Sequence, residues 1–170
     1  MQMETWDGTP EELVLEVLNT TPTVDGTQRD LLSGEEGAAL VRRWGGTGEG
    51  DRRNLVAARD AVQQIVTTGR TDVDLHALLD EVVQRPRLGT DGLTWRLDAP
   101  PAAVLALEFL ATWTRLTTEH PGRLRRCAND ECSRYLLDRS NANARQWCSM
   151  SSCGNRMKAR RHHRRSAARG

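Results

Sequence analysis

The chain has 170 residues, of which 38% are hydrophobic, and its formal net charge is +1. This length accommodates one domain of ordinary size together with a small module. No apolar run approaches the roughly 18 residues of a membrane-spanning helix, so a membrane protein is excluded. The acidic start has neither the positive region nor the apolar region of a secretory signal, and we therefore expect a cytoplasmic protein whose thiols stay reduced.

The small net charge conceals an uneven distribution. Residues 1–122 contain 11 Lys/Arg and 20 Asp/Glu, a formal charge of −9. Residues 123–170 contain 13 Lys/Arg and three Asp/Glu, a formal charge of +10. A basic segment attracts polyanions and an acidic segment is repelled by them. We predict an acidic body over residues 1–122 and a basic module over residues 123–170.

The first half of the body contains mainly helical signals. Residues 11–18 are an apolar segment between two prolines, and periodicity does not decide between a strand and a short helix. Residues 33–36 match a capping box and predict a helix that two glycines end. A further helix is predicted to end at Gly69, and another is predicted to begin at Thr71 or Asp72.

The second half of the body adds a strand signal. The helix after Thr71 is predicted to turn Val82 and Val83 inward. Apolar residues then alternate over residues 88–97 around an Asp-Gly pair, which predicts a β-hairpin. A last helix is predicted between the paired prolines at 100–101 and Pro121. The tryptophans interpreted as core anchors are Trp44, Trp95 and Trp113.

All four cysteines lie in the basic module, with the spacing C-x4-C-x15-C-x4-C. Two close pairs separated by a loop of medium length suit a structural zinc site, which four thiolates complete. Two disulfides are the alternative, and a reducing compartment favours the metal. We expect one structural zinc ion per chain, bound by Cys127, Cys132, Cys148 and Cys153.

A basic helix is predicted after the second cysteine pair. This stretch contains no Gly or Pro beyond Gly154, and helical spacing places Arg156, Arg160 and Arg164 on one stripe. A helix beside a metal site can present cations to nucleic acid. The predicted nucleic-acid contacts are Arg156, Lys158, Arg160, Arg161, Arg164 and Arg165. Two roles stay open for Arg156, a hydrogen bond to a cysteine sulfur or carbonyl and a contact with phosphate.

The remaining module is predicted to resemble a treble clef. The first cysteine pair forms a knuckle, residues 134–138 and 145–148 form two strands, and Ser151 or Ser152 caps the final helix. Trp147 is expected to shield the zinc site from water. The predicted fold is therefore mostly α with a small β-hairpin, a helical N-terminal domain followed by a treble-clef-like zinc finger.

Several of these residues resemble a known family, the CGNR zinc finger. The resemblance rests on residues 147–150, on Cys-Gly-Asn-Arg at 153–156 and on Asp-Arg-Ser at 138–140. Residues 13–20, which end in Asn-Thr, are similar to the opening of the ABATE domain that precedes this finger in bacterial proteins. The resemblance implies a bacterial regulator of stress-induced transcription whose finger contacts DNA.

No catalytic pattern is evident in the sequence. His76 has Asp72 and Asp80 one helical turn away on either side, which is typical of an exposed helical histidine. Four cysteines complete a closed zinc site with no position for a reactive water. The chain contains neither a glycine-rich phosphate loop nor a nucleophile elbow. We predict that the protein is not an enzyme.

These observations lead to the expectation of a cytoplasmic, DNA-binding transcription regulator. The body would sense a signal or associate, and a homodimer would supply the second finger that specific binding requires. Two alternatives stay open. The finger could bind RNA or a protein with zinc in a structural role, or the body could bind a small ligand with the finger as a stabiliser. The sequence identifies no small-molecule effector.

Overall fold

The computed structural model describes residues 8–167, except for the side chains of Arg165 and Ala167. Within these residues about half of the chain is helical, as predicted. The described helices are α1 (Pro10–Leu18), α2 (Gly34–Arg43), α3 (Glu49–Thr68), α4 (His76–Leu79), α5 (Val104–Glu119) and α6 (Asn155–Ala167). The described strands are β1 (Thr23–Val24), β2 (Thr27–Gln28), β3 (Val83–Gly89), β4 (Gly92–Asp98), β5 (Leu124–Arg126) and β6 (Tyr135–Leu137). They pair antiparallel as β1–β2, β3–β4 and β5–β6.

The segment that periodicity left open is helix α1. Thr9 caps it, because its hydroxyl accepts from the Glu12 N–H while the Glu12 carboxylate accepts from the Thr9 N–H at 2.8 Å. The predicted capping box at residues 33–36 is wrong. Ser33 does precede α2, but its hydroxyl donates to the Asp30 carbonyl at 2.6 Å and makes no capping bond. The Ser33 hydroxyl is therefore bonded within the turn at Asp30 and does not cap α2.

Helices α1, α3 and α5 pack around one hydrophobic core. Leu18, Leu55 and Phe109 are completely buried in it, one from each helix. Trp44, at the end of α2, is also buried, and its indole N–H donates to Glu16 Oε2 at 3.0 Å. The prediction that Trp44 anchors the core is confirmed. Full burial of such large side chains is the main source of the body's stability.

A buried arginine holds the segment before α2 against α3. Arg59 is 2% exposed and donates to both carboxylate oxygens of Asp30, at 2.7 and 2.9 Å. It also donates to Thr20 Oγ1 at 3.0 Å. The Arg59 guanidinium lowers the pKa of Asp30, against the opposing effect of burial. Two parallel hydrogen bonds of this kind fix orientation as well as supplying energy.

Two predictions about residues 71–98 need correction. The helix after Thr71 shortens to α4, because Val83 enters strand β3 and is 40% exposed. The β3–β4 hairpin is confirmed, with a two-residue turn and with Leu88 opposite Leu93. Trp95 lies on this hairpin and is 61% exposed, so its predicted role as a core anchor is wrong. The described part of the chain also has a short hairpin between α1 and α2, β1–β2, for which no strand was predicted.

The hydrophobic core continues into the basic module. Leu124 of β5 and both Tyr135 and Leu137 of β6 belong to the same cluster of buried residues as α1, α3 and α5. The limits 1–122 and 123–170 stay a prediction, but the apolar side chains on the two sides of residue 122 pack together. Among the described helices, none is both long enough and apolar enough to cross a membrane.

Candidate metal centre

The four cysteine sulfurs converge on one point. They lie within 4.8 Å of one another, with 3.8 Å between Cys132 and Cys148 and 3.7 Å between Cys148 and Cys153. Four sulfurs about 2.3 Å from a zinc ion in a tetrahedron lie about 3.8 Å apart. A disulfide needs about 2.05 Å, and all four cysteines are free. The donor set and the spacing therefore fit one structural zinc ion.

Four short backbone segments position these cysteines. Cys127 follows β5, and its N–H donates to the Arg134 carbonyl at 2.8 Å. Cys132 closes the knuckle by donating its N–H to the Asn129 carbonyl at 2.8 Å. Cys148 ends the long loop, and Cys153 lies in one turn of π-helix over Met150–Gly154, directly before α6. The predicted knuckle and the helix after the second pair are confirmed.

Two details predicted for the second half of the module are wrong. Residues 145–148 form no strand, because β6 pairs with β5 on one side and with the amide of Asn19 on the other. Neither Ser151 nor Ser152 caps α6, since Ser149 precedes the π-helical turn that leads into it. The first error concerns the partners of β6, and the second arises because a π-helical turn places the start of the helical segment before Ser151.

Hydrogen bonds to sulfur support the site from within. Asn129 is 1% exposed, and its Nδ2 donates to Cys153 Sγ at 3.5 Å. The Cys148 N–H donates to Cys127 Sγ at 3.5 Å. Burial acts to raise the pKa of Cys153, but hydrogen bonds from Asn129 and from the neighbouring thiols outweigh it and lower that pKa to about 7. Burial raises the pKa of Cys148, so this thiol holds its proton until a metal displaces it.

The loop between the cysteine pairs is organised around Asp138. This carboxylate has no exposed surface, and it accepts from the Ser140 N–H at 2.8 Å and from the Ser140 hydroxyl at 2.6 Å. It also accepts from the Arg145 N–H at 2.7 Å and from Arg125 Nη2 at 2.6 Å. The hydrogen bonds from Ser140, assisted by the others, lower the pKa of Asp138 to about 2. The ionised carboxylate of Asp138 therefore connects Ser140 and Arg145 within this loop.

Arg145 connects the hydrogen bonds of Asp138 to the metal site. Its Nε donates to the Trp147 carbonyl at 3.0 Å and its Nη2 donates to the Cys148 carbonyl at 2.6 Å. The Asp-Arg-Ser stretch thus positions Cys148 through Arg145. The indole Nε1 of Trp147 is buried and has no hydrogen-bond partner within the described residues. Its role in shielding the zinc stays a prediction.

The predicted basic stripe on α6 divides into two sets. Arg156 forms an ion pair with Glu131 at 3.7 Å, and Arg160 also pairs with Glu131, which lowers the pKa of that carboxyl. The hydrogen bond from Arg156 to a cysteine is not seen among the described residues, and its contact with phosphate stays a prediction. By contrast, Lys158, Arg161 and Arg164 are exposed and have no hydrogen bond or ion pair to any described residue. The side chain of Arg165 lies outside the described residues.

Two further cations near the metal site were missed. Arg126 ends β5 and Arg134 precedes β6, and both side chains are exposed. They lie on either side of the Cys127 N–H, which hydrogen-bonds to the Arg134 carbonyl. The sequence feature that could have identified them is their position beside the first cysteine pair. His76 is exposed, as expected for a histidine on a helix, and its Nδ1 lies 3.3 Å from Asp80 Oδ1.

The sulfur geometry and its hydrogen bonds define a zinc-binding module. Residues 123–166 match the family model of the CGNR zinc finger, so the resemblance seen in the sequence is confirmed for this C-terminal region. No curated protein matches the chain. The similarity of residues 13–20 to the ABATE domain stays a prediction.

The structure gives each residue of the Cys-Gly-Asn-Arg sequence a separate task. Cys153 supplies one of the four clustered sulfurs that could hold the zinc ion. A Cβ on Gly154 would lie 2.8 Å from the sulfur of Met150, so a larger residue here would require the Met150 side chain to move. Asn155 Nδ2 donates to the Ser151 carbonyl at 3.3 Å, and Arg156 pairs with Glu131. The last three residues thus connect α6 to the turn and the knuckle that hold the zinc.

Proposed function

We propose that the protein is a DNA-binding transcription regulator whose zinc finger contacts the double helix through α6. One observation carries this proposal. Lys158, Arg161 and Arg164 project from the helix that follows Cys153 and have no protein partner within the described residues. Unpaired cations on a rigid element match the regular charge of the phosphate backbone.

The charges of the two parts of the chain also favour contact of DNA with the finger rather than with the body. The segment 123–170 carries +10 and the segment 1–122 carries −9. The field of the acidic body repels DNA, whereas the finger attracts it, so approach is guided to the finger. Helix α6 spans 13 residues, about 20 Å at 1.5 Å per residue, which covers a few base pairs in one groove.

The test is a salt titration of binding to duplex DNA, followed by fluorescence anisotropy. The double variant Arg161→Gln, Arg164→Gln should weaken binding to every sequence and reduce the salt slope by about two, because each phosphate contact adds about 0.9. The double variant Arg156→Gln, Arg160→Gln should have a smaller effect, since Glu131 already occupies both guanidinium groups. This contrast separates the two sets of cations.

A matched control removes the same charge from the body. Arg87→Gln with Arg96→Gln changes two exposed arginines of the β3–β4 hairpin and should leave the salt slope unchanged. Equal affinity and slope in wild type and the Arg161, Arg164 variant, with zinc retained, would remove α6 from the interface. Tighter binding to single-stranded or duplex RNA in the same assay would favour the RNA alternative.

A second candidate function has one observation in its favour. A cavity of about 510 Å³ lies where α1, α5 and the finger meet, and its lining includes Leu116, His120, Arg123 and Arg139. Its volume is in the range of small-ligand sites. A polar ligand there would contact both body and finger and would make the body a sensor. Native mass spectrometry of the purified protein would detect such a ligand, and Arg139→Glu should abolish its retention.

A further inference from the structure

The β3–β4 hairpin has one apolar face, and that face is open to solvent. Residues that are paired across two antiparallel strands point to the same side. The pairs Leu88–Leu93, Pro86–Trp95 and Gln84–Leu97 therefore share a face. Leu88 is 83% exposed, Leu93 and Trp95 are each 61% exposed, and Leu97 is 51% exposed. Four large apolar side chains thus stand next to one another on a surface without a single charge.

The opposite face of the hairpin is basic. Arg85, Arg87, Thr94 and Arg96 alternate with the apolar residues and lie on the other side. Asp98 pairs with Arg85 at 2.8 Å and lies 3.7 Å from Arg96. The hairpin is therefore strongly amphipathic, yet among the described elements its two strands pack extensively on each other alone. A two-stranded ribbon is marginally stable in water unless its apolar face is covered.

The apolar surface continues from the hairpin onto α5. A cavity of about 340 Å³ lies at the base of the hairpin. Its lining residues are Leu97, Ala99, Val104, Leu107, Glu108 and Ala111. Leu97 belongs both to this cavity and to the hairpin face, so the two form one surface. Glu108 is the one ionisable residue in this lining, and partial burial raises its pKa.

We propose that this surface is a homodimer interface, in which the apolar faces of two β3–β4 hairpins pack against each other. At roughly 100 Å² per exposed side chain, the hairpin face presents about 400–500 Å² of apolar area, the size of the largest patches on monomers. Two such faces together bury about 1,000 Å², the lower limit for a specific interface, and Val104 of α5, 40% exposed, lies beside them.

The chemistry of the face favours a second copy over another partner. A two-fold axis places the same patch opposite itself, so residues near the axis meet their own copies, and an uncharged patch has no like charges to bring together there. The hairpin face carries no charge, and its arginines lie on the far side. The inference also rests on the proposed function, because one short finger gives modest affinity and a dimer supplies two.

The experiment is sedimentation velocity of the full zinc-loaded chain between about 1 and 100 μM, a range suited to interfaces of this size. We expect a monomer–dimer equilibrium in wild type. The double variant Leu93→Thr, Trp95→Thr removes two anchors but keeps β-forming residues, and should raise the dimer Kd at least about a hundredfold. Arg87→Gln with Arg96→Gln changes the opposite face of the same strands and should leave the Kd unchanged.

Circular dichroism and zinc content check that the threonine variant is folded. If it is not, Leu88→Thr at the exposed tip replaces it, with the same expectation of weaker dimers. A wild-type chain that stays monomeric throughout the range overturns the proposal, as does a folded threonine variant that dimerises like wild type. Neither measurement contains nucleic acid. A chain that dimerises but does not bind DNA would therefore refute the proposed function and leave this interface intact.

Discussion

At the scale of single residues, one buried and one half-buried asparagine side chain connect parts of the chain that the sequence keeps far apart. Asn129 donates to the sulfur of Cys153, which lies 24 residues away. Asn19 accepts from the Tyr135 N–H at 2.8 Å and donates to the Tyr135 carbonyl at 3.3 Å. An amide with one donor and one acceptor suits such bridges, because it satisfies backbone and sulfur without adding charge.

Replacing Asn129 should weaken zinc binding. In the variant Asn129→Ala the Cys153 thiolate loses its buried donor, and removal of a group that supports a ligand typically costs 10- to 100-fold in metal affinity. Competition with a chromophoric chelator measures the effect. Asn155→Ala is the matched control, since that amide contacts the Ser151 carbonyl and no sulfur. Equal zinc affinity in the two variants would contradict a supporting role for Asn129.

At the scale of elements, strand β6 explains both the success and the failure of sequence reasoning. Its apolar run predicted a strand correctly, since alternation and composition are local signals. Its two partners were not predicted: β5 lies on the other side of the cysteine knuckle, and Asn19 comes from the end of α1. Residues 145–148 were predicted as a returning strand, but the Asn19 amide bonds to β6 where a second strand would pair.

Removing the Asn19 bridge should loosen the contact between body and finger. Asn19→Ala leaves the Tyr135 N–H and carbonyl without this partner in a part-buried position, which costs about 1–3 kcal/mol in the free energy of unfolding. Urea unfolding at saturating zinc measures it. Asn141→Ala, in the exposed loop, is the control and should change the free energy by less than about 0.5 kcal/mol.

The same contrast between local and distant signals applies to the other elements and to the site. Gly69, with a φ of 72°, ends α3 as predicted, because a left-handed cap is a property of a single residue. The cysteine spacing likewise indicated the zinc site, because it is a pattern within one short stretch of the sequence. The exposure of Trp95 and the pairing of Arg156 with Glu131 were not predictable, since both depend on which surfaces meet after folding.

At the scale of the whole molecule, the finger completes the core of the body. Leu124, Tyr135 and Leu137 are each at most 8% exposed, and they are buried in the same cluster as α1 and α5. Three apolar side chains of this size contribute several kcal/mol when buried. The predicted division at residue 122 thus describes the charge of the chain better than its packing.

Truncation should reveal this shared core. A fragment of residues 1–122 should melt about 10 °C or more below a fragment of residues 1–139 with Cys127 and Cys132 changed to Ser, because the longer fragment keeps β5 and β6. Thermal circular dichroism at the helical signal measures both. Equal melting temperatures would mean that the body closes its core without the finger, as two independent domains would.

The arginine face and Pro86 of the hairpin also determine how far self-association can proceed. An exposed ribbon with a row of leucines risks adding strands edge to edge without limit, which leads to aggregates. Pro86 has no N–H to offer a further strand beside β3, and charged side chains line the same strands at Arg85 and Arg96. Proline and charged side chains on a strand are the features that oppose edge-to-edge pairing. They oppose fibres, which grow by pairing strands edge to edge. They do not oppose the proposed face-to-face dimer, which contains only two copies.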